Sequence, residues 1–171
     1  VKIIVLTILL LTLSNLVAAE TESVYTSTRE NDCQTQSSAS EEGASYLGLC
    51  PGVTGYTVQL KDDDNRQTLD VITPAGSVSE LNFWSLKRGF SQLGDNIEWR
   101  LQKGVPVALI VRYRVADKAK PNTYTAYLMI AKIAKTTSCV TDIVPPMAKQ
   151  NEAARKLADT ARARPCLASK E

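Results

Sequence analysis

"IEWRLQKGVPVALIVRYRV", residues 97–115, reads as two β-strands joined by a tight link. Ile97, Trp99 and Leu101 alternate with Glu98, Arg100 and Gln102, the period of two that a half-buried strand requires. The second half alternates Val107, Leu109, Val111, Tyr113 and Val115 against Ala108, Ile110, Arg112 and Arg114. "KGVP" between them is short enough for a hairpin. Pairing the apolar faces puts Glu98 opposite or diagonal to Arg112, an expected cross-strand ion pair. It also puts Arg100, Arg112 and Arg114 on the sheet surface, away from the core.

The flanking segments extend this pattern. "GYTVQLKDDDNRQTLDVITP" (55–74) predicts a hairpin in which Leu60 faces Leu69, Val58 faces Val71, and Gln59 and Asp70 share the other side. "DDNR" (63–66) supplies the turn, since Asp and Asn suit its backbone geometry. "SVSELNFWSLKRGFSQLGD" (77–95) predicts a short helix or helical turns, with Ser77 and Glu80 at capping-box spacing and Gly94 as the stop. Downstream, "TYTAYLMIAKI" (123–133) is apolar on both faces, which predicts a central strand covered on one side by a helix. "SCVTDIV" (138–144) predicts a last short strand ended by Pro145-Pro146. "MAKQNEAARKLADTARARPC" (147–166) is the clearest helix: Ala154, Leu157, Ala158 and Ala161 share one narrow apolar face, with Arg155 and Arg162 off it.

A hairpin, a small helix, a three-strand meander and a long helix in that order predict an α+β fold. Its antiparallel sheet is built from hairpin plus meander, with the C-terminal amphipathic helix on one face. Residues 46–171 are expected to form one domain. Residues 20–45, rich in Ser, Thr and Glu, are expected to be a loosely ordered polar arm in which only "SVYTS" could make a short strand. Residues 1–19 carry Lys2, the apolar run "IIVLTILLLTL" (3–13) and the small residues Val17 and Ala19 before Glu20. That combination predicts a secretory signal peptide cleaved after Ala19. The apolar run is shorter than the roughly 20 residues a spanning helix needs, so no stable membrane span is expected after cleavage.

Composition bounds the chemistry. There is no histidine, which removes Ser-His-Asp and Cys-His nucleophiles and the usual catalytic zinc sites. No phosphate-binding loop or dinucleotide fingerprint is present, and no cofactor is expected. The cysteines form no CxxC-like cluster, and "DDDN" (62–65) lacks the glycine and closing glutamate of an EF-hand, so no metal site is expected. Aromatic residues do not interleave with the bases as single-strand nucleic-acid binders need, so nucleic acid is not an expected partner.

Charge is divided along the chain. Residues 20–80 hold eleven acids and three bases, residues 81–171 seven acids and sixteen bases, within a whole-chain net charge of +2. Arg100, Arg112, Arg114, Arg155 and Arg162 are the candidate patch for an acidic polymer or a protein partner. The plainer reading is a solvated face partly neutralised by the acidic hairpin. Carboxylate chemistry would instead need a pocket joining Glu98, Asp95 or Asp142 to Arg100 or Arg112. Four cysteines, Cys33, Cys50, Cys139 and Cys166, imply two disulfides in an exported chain and permit three pairings.

"CPGVTGY" (50–56), "IEWRL" (97–101), "GVPVALIVRY" (104–113), "SCVTDIV" (138–144) and "NEAARKLAD" (151–159) with its closing cysteine occur in that order. Together they resemble a family of small exported proteins of Gram-negative bacteria that carries no assigned function. The resemblance covers roughly residues 46–166. It implies a periplasmic or secreted location and pairing of the last two cysteines; it brings no activity and no site residues. The expected pairs are therefore Cys33–Cys50, tying the polar arm to the body, and Cys139–Cys166, joining the last strand to the far end of the helix. The expected function is a non-enzymatic binding module. Its ligand would be a protein partner, for instance a hydrolase that it inhibits, or an envelope polymer. The alternatives are a small hydrolase-type enzyme using carboxylates and arginines, and a structural envelope protein that oligomerises through an exposed strand.

Overall fold

In the computed structural model, which describes residues 21–39 and 45–168, ten strands form two sheets. The expected signal segment lies outside the described residues. The strands are β1 (Thr21–Ser27), β2 (Gln34–Ala39), β3 (Ser45–Pro51), β4 (Thr57–Asp63), β5 (Gln67–Ile72) and β6 (Val78–Glu80), followed by β7 (Ser91–Gln102), β8 (Val105–Ala116), β9 (Tyr124–Lys132) and β10 (Cys139–Val144). A four-residue helix α1 (Phe83–Leu86) precedes β7, and α2 (Gln150–Asp159) follows β10. One sheet has the order β1-β7-β8-β9-β10 and the other β2-β3-β4-β5-β6, each five-stranded and antiparallel throughout.

The chain is thus mainly β, and the single sheet expected from the sequence is two sheets sharing one core. Val58, Leu60, Leu69 and Val71 from the second sheet meet Ile97, Trp99, Leu109, Val111, Tyr113 and Met129 from the first. Phe83 closes this core edge-on to Tyr113, with ring centroids 5.5 Å apart. The outer face of the first sheet holds a second cluster, in which Val107, Ala108, Ile110, Leu128, Ile130 and Val144 surround Ala154, Ala158 and Ala161. Each alanine methyl contributes only about 1 kcal/mol on burial. Polar ties must therefore do much of the work of fixing α2.

The hairpin of β4 and β5 has the expected register, Leu60 opposite Leu69, Val58 opposite Val71 and Gln59 opposite Asp70. Its turn places Asp64 and Asn65 both at positive φ, the conformation that suits strand twist and that Asp and Asn tolerate. The link between β7 and β8 is of the same kind, with Lys103 at φ 52° and Gly104 at φ 74°. Both disulfides form as expected, Cys33–Cys50 and Cys139–Cys166.

Four expectations are corrected. The supposed loose arm supplies an edge strand to each sheet: β1 pairs with β7 along its full length, and β2 pairs with β3. Its polar side chains mislead because an edge strand exposes much of its surface. The helix over 77–95 shrinks to α1. Ser77 and Glu80 do not cap it, and Gly94 lies inside β7, where the register with β8 shifts. Val107 joins the outer cluster rather than the core, because the register shifts again between Arg100 and Leu101 and leaves it as the extra residue of a bulge. Finally, Arg100 is buried, with only 7% of its surface exposed, rather than lying on an open sheet face.

Candidate functional site

The expected basic residues are sorted by the face that α2 covers. Side chains of β7 alternate, so Glu98 and Arg100 both point outward, two residues apart. Arg155 and Asp159 are one helical turn apart on α2. Four helical residues rise about 6 Å and two strand residues about 6.7 Å, so the two pairs can meet rung by rung. They do. Arg155 donates from Nε to Glu98 Oε1 at 2.6 Å and from Nη2 to Oε2 at 3.2 Å. Arg100 donates from Nε and Nη2 to the two Asp159 carboxylate oxygens at 2.8 and 3.0 Å. The guanidinium of Arg100 also lies 3.6 Å from Glu98 and donates to the Ser23 hydroxyl. β1 completes the cluster, with Ser23 donating to Glu98 at 2.5 Å and Tyr25 accepting from Arg155 at 3.0 Å.

This arrangement fixes the state of Glu98. Burial by itself pushes its carboxyl up. Hydrogen bonds from Arg155 and Ser23, with the charges of Arg155 and Arg100, outweigh burial and hold it below its ordinary value. The bond to Glu98 raises Arg155 in turn. The expected Glu98–Arg112 ion pair does not form. Arg112 instead donates to Gln150 Oε1 at 3.2 Å and Asn151 Oδ1 at 3.3 Å, at the other end of the helix.

Beside the network a cleft of about 330 Å³ opens between the sheet and α2. Arg112, Arg114 and Arg155 line it together with Tyr25, Asp95, Asn96, Glu98 and Asn151. Three of the five candidate arginines are therefore brought together. Arg100 is not on the lining, being held beneath the helix by Asp159, and Arg162 is exposed on the 3₁₀ turn Ala161–Ala163 beyond it. Arg114 has no side-chain partner among the described residues and lines a second cleft of about 230 Å³ with Arg29, Glu30 and Asp95.

The cleft also meets the condition set for a carboxylate enzyme, since Asp95 and Glu98 line it with Arg112. The chemistry is less favourable than the geometry. Both oxygens of Glu98 accept bonds from Arg155, and a carboxylate held ionised in this way is a poor proton donor and a weak base. Asp95 is largely exposed and lies 3.7 Å from Arg29. Asp142 is elsewhere, locked to Arg164 beside the C-terminal disulfide. In the acidic hairpin, Asp62 accepts from Gln67 and Asp64 from Arg66. Among the described residues no three His, Cys, Asp or Glu side chains converge on a point that could hold a metal ion.

The sequence could show that Arg112 and Arg114 share a face, because strand alternation is local. It missed Tyr25, Asn96 and Asn151. Tyr25 enters only because β1 pairs with β7, and Asn151 only because of where α2 begins on the sheet. Comparison of the chain with protein-family models, with curated proteins and with solved structures gives no match.

Proposed function

We propose that this chain is a periplasmic or secreted binding module that performs no chemistry of its own and holds an anionic partner, an envelope protein or an acidic polymer, against the arginine cleft. One observation carries the reading. Arg112, Arg114 and Arg155 converge on one cleft whose buried carboxylate, Glu98, is consumed by ion pairs. Guanidinium groups present planar donors suited to carboxylate, sulfate and phosphate groups. Arg114 in particular is committed to no side chain among the described residues. Two disulfides support a non-reducing compartment, and no helix among the described residues is long and apolar enough to cross a membrane. Kinship with small exported proteins of Gram-negative bacteria belongs to the same proposal and is supported by the sequence stretches quoted above.

The test uses the disulfide-intact protein on immobilised polygalacturonate and in affinity capture from a periplasmic extract. Expected is retention that falls with salt and weakens at least about tenfold in R112E/R114E, as loss of two contacting charges should produce. Retention unchanged by the double substitution would refute the cleft as the binding surface. The hydrolase-type alternative has one specific observation in its favour, the shared lining of Asp95, Glu98 and Arg112. It requires an activity that Asp95→Asn abolishes while binding is retained.

A further inference from the structure

A third, larger groove lies at one end of the sandwich. It measures about 790 Å³, within the range of roughly 300–1,000 Å³ typical of small-ligand sites. Arg66, Trp84, Arg88, Phe90, Asp117 and Lys118 line it with intervening backbone. None of these residues lines the arginine cleft, so this site stands apart from the proposal above. We propose that the groove binds a pyranose glycan, with a sugar ring stacked on Trp84.

The aromatic exposure is the first observation. Trp84 is 47% and Phe90 53% exposed. A lone exposed aromatic is ordinary, but two opening on one groove form a contiguous apolar surface. The exposure is built into the backbone. Lys87 N–H donates to Phe83 C=O at 2.9 Å, Ser91 N–H to Asn65 C=O at 2.7 Å, and Ala116 N–H to Phe90 C=O at 2.9 Å. These bonds tie the α1 segment, the β4–β5 turn and the end of β8 together around the groove. Gly89 makes the bend between the two aromatics at φ 137°, where a Cβ would meet Val115 Cγ1 at 3.0 Å. The two rings are therefore held outward by a conformation that only glycine adopts without strain.

The rim decides the occupant. Arg66 lies over the Phe90 ring at 5.3 Å and donates to Asp64 at 2.8 Å. Lys118 brings a further donor, Asp117 brings an acceptor, and Asp63 lines an adjoining recess with Arg66 and Trp84. An apolar peptide or lipid would take the exposed Lys118 and Asp117 charges out of water, which is costly. A polyanion would meet the aspartates as well as the bases. A pyranose has an apolar C–H face to lay on an aromatic ring, and an edge of hydroxyls that both donate and accept. That is the chemistry that satisfies an aromatic floor and a rim of both signs at once.

The chain has two tryptophans, and Trp99 is fully buried, so exposed-tryptophan fluorescence reports on Trp84. Chitohexaose and cellohexaose are titrated into the disulfide-intact protein, with iodide quenching as the first readout and calorimetry as the second. Expected is saturable protection of Trp84 from iodide by at least one of them. Calorimetric affinity should fall at least about tenfold in Trp84→Ala and severalfold in Lys118→Ala, with unchanged circular dichroism. Lys118 is an exposed loop residue, so its variant keeps the test valid if Trp84→Ala fails to fold. Absence of saturable binding by both oligosaccharides at millimolar concentration overturns the proposal. So does binding that survives in both variants, or binding by polygalacturonate alone.

Discussion

Arg100→Met would test whether the charged rungs, rather than the alanine face, hold α2 on the sheet. The Arg100 side chain is 9% exposed and gives two hydrogen bonds to Asp159, itself 34% exposed. Hydrogen bonds to charged groups contribute about 1.5–3 kcal/mol each. Water reaches Asp159, so part of that is recovered when the guanidinium is lost. Methionine keeps most of the aliphatic stem, so the packing loss is small. Glu98 also loses its 3.6 Å neighbour but keeps both bonds from Arg155. The sum is a destabilisation of about 3 kcal/mol, at the lower end of the 3–5 kcal/mol seen when a buried pair loses one member. For a domain of this size that lowers Tm by about 6–12 °C. Urea unfolding at pH 7 measures the free energy, and amide exchange shows whether α2 opens first. Stability within about 0.5 kcal/mol of the parent, with unchanged exchange in α2, would refute the reasoning.

Further outcomes follow from the same structure. Glu98→Gln lowers stability at neutral pH, and its deficit shrinks in acid. A carboxyl held below its ordinary value of 4.5 contributes stability above that pH and loses it as pH falls through the folded value; urea curves on both proteins between pH 7 and 3 read the convergence. Asp70 has the opposite sign: its pKa is raised, chiefly by burial, against the opposing pull of Lys61, so its contribution is present in acid and is lost as pH rises through the folded value. The parent should therefore lose ground to Asp70→Asn as pH rises. Replacing Cys139 and Cys166 together by Ala releases a cross-link of sequence separation 27 and costs about 3.5 kcal/mol on chain entropy. Because Asp159, Arg155 and Arg164 still tie the α2 region to the sheet, α2 amides should lose protection together with β9 rather than ahead of it. Asn65→Ala, at φ 58° in the β4–β5 turn, should cost about 1 kcal/mol in the same unfolding assay.

The sequence by itself determined what is local. Period-two alternation settled the two faces of β7 from Ile97 to Leu101 and the register of the β4–β5 hairpin, because side-chain direction alternates along a strand wherever no bulge intervenes. Paired Asp64 and Asn65 settled that turn, and the run Ala154, Leu157, Ala158, Ala161 settled the buried stripe of α2. The tertiary structure decided what depends on partners far along the chain. Ten strands of similar pattern can be dealt into one sheet or two, and only joint burial of Val58 and Leu60 against Trp99 and Val111 separates the outcomes. Strand β2 carries almost no apolar signal and β1 only Val24 and Tyr25, since much of their stability comes from backbone bonds to a neighbour that already exists. The candidate cleft divided in the same way. That Arg112 and Arg114 share a face was legible in the sequence. That Arg100 is neutralised under α2 while Arg114 stays uncommitted was not, because it depends on where a helix 59 residues away in sequence lays Asp159. The stretch 77–95, which holds Trp84 and Phe90, predicts a short helix or helical turns. Gly89 between them turns the chain instead and leaves both rings in solvent.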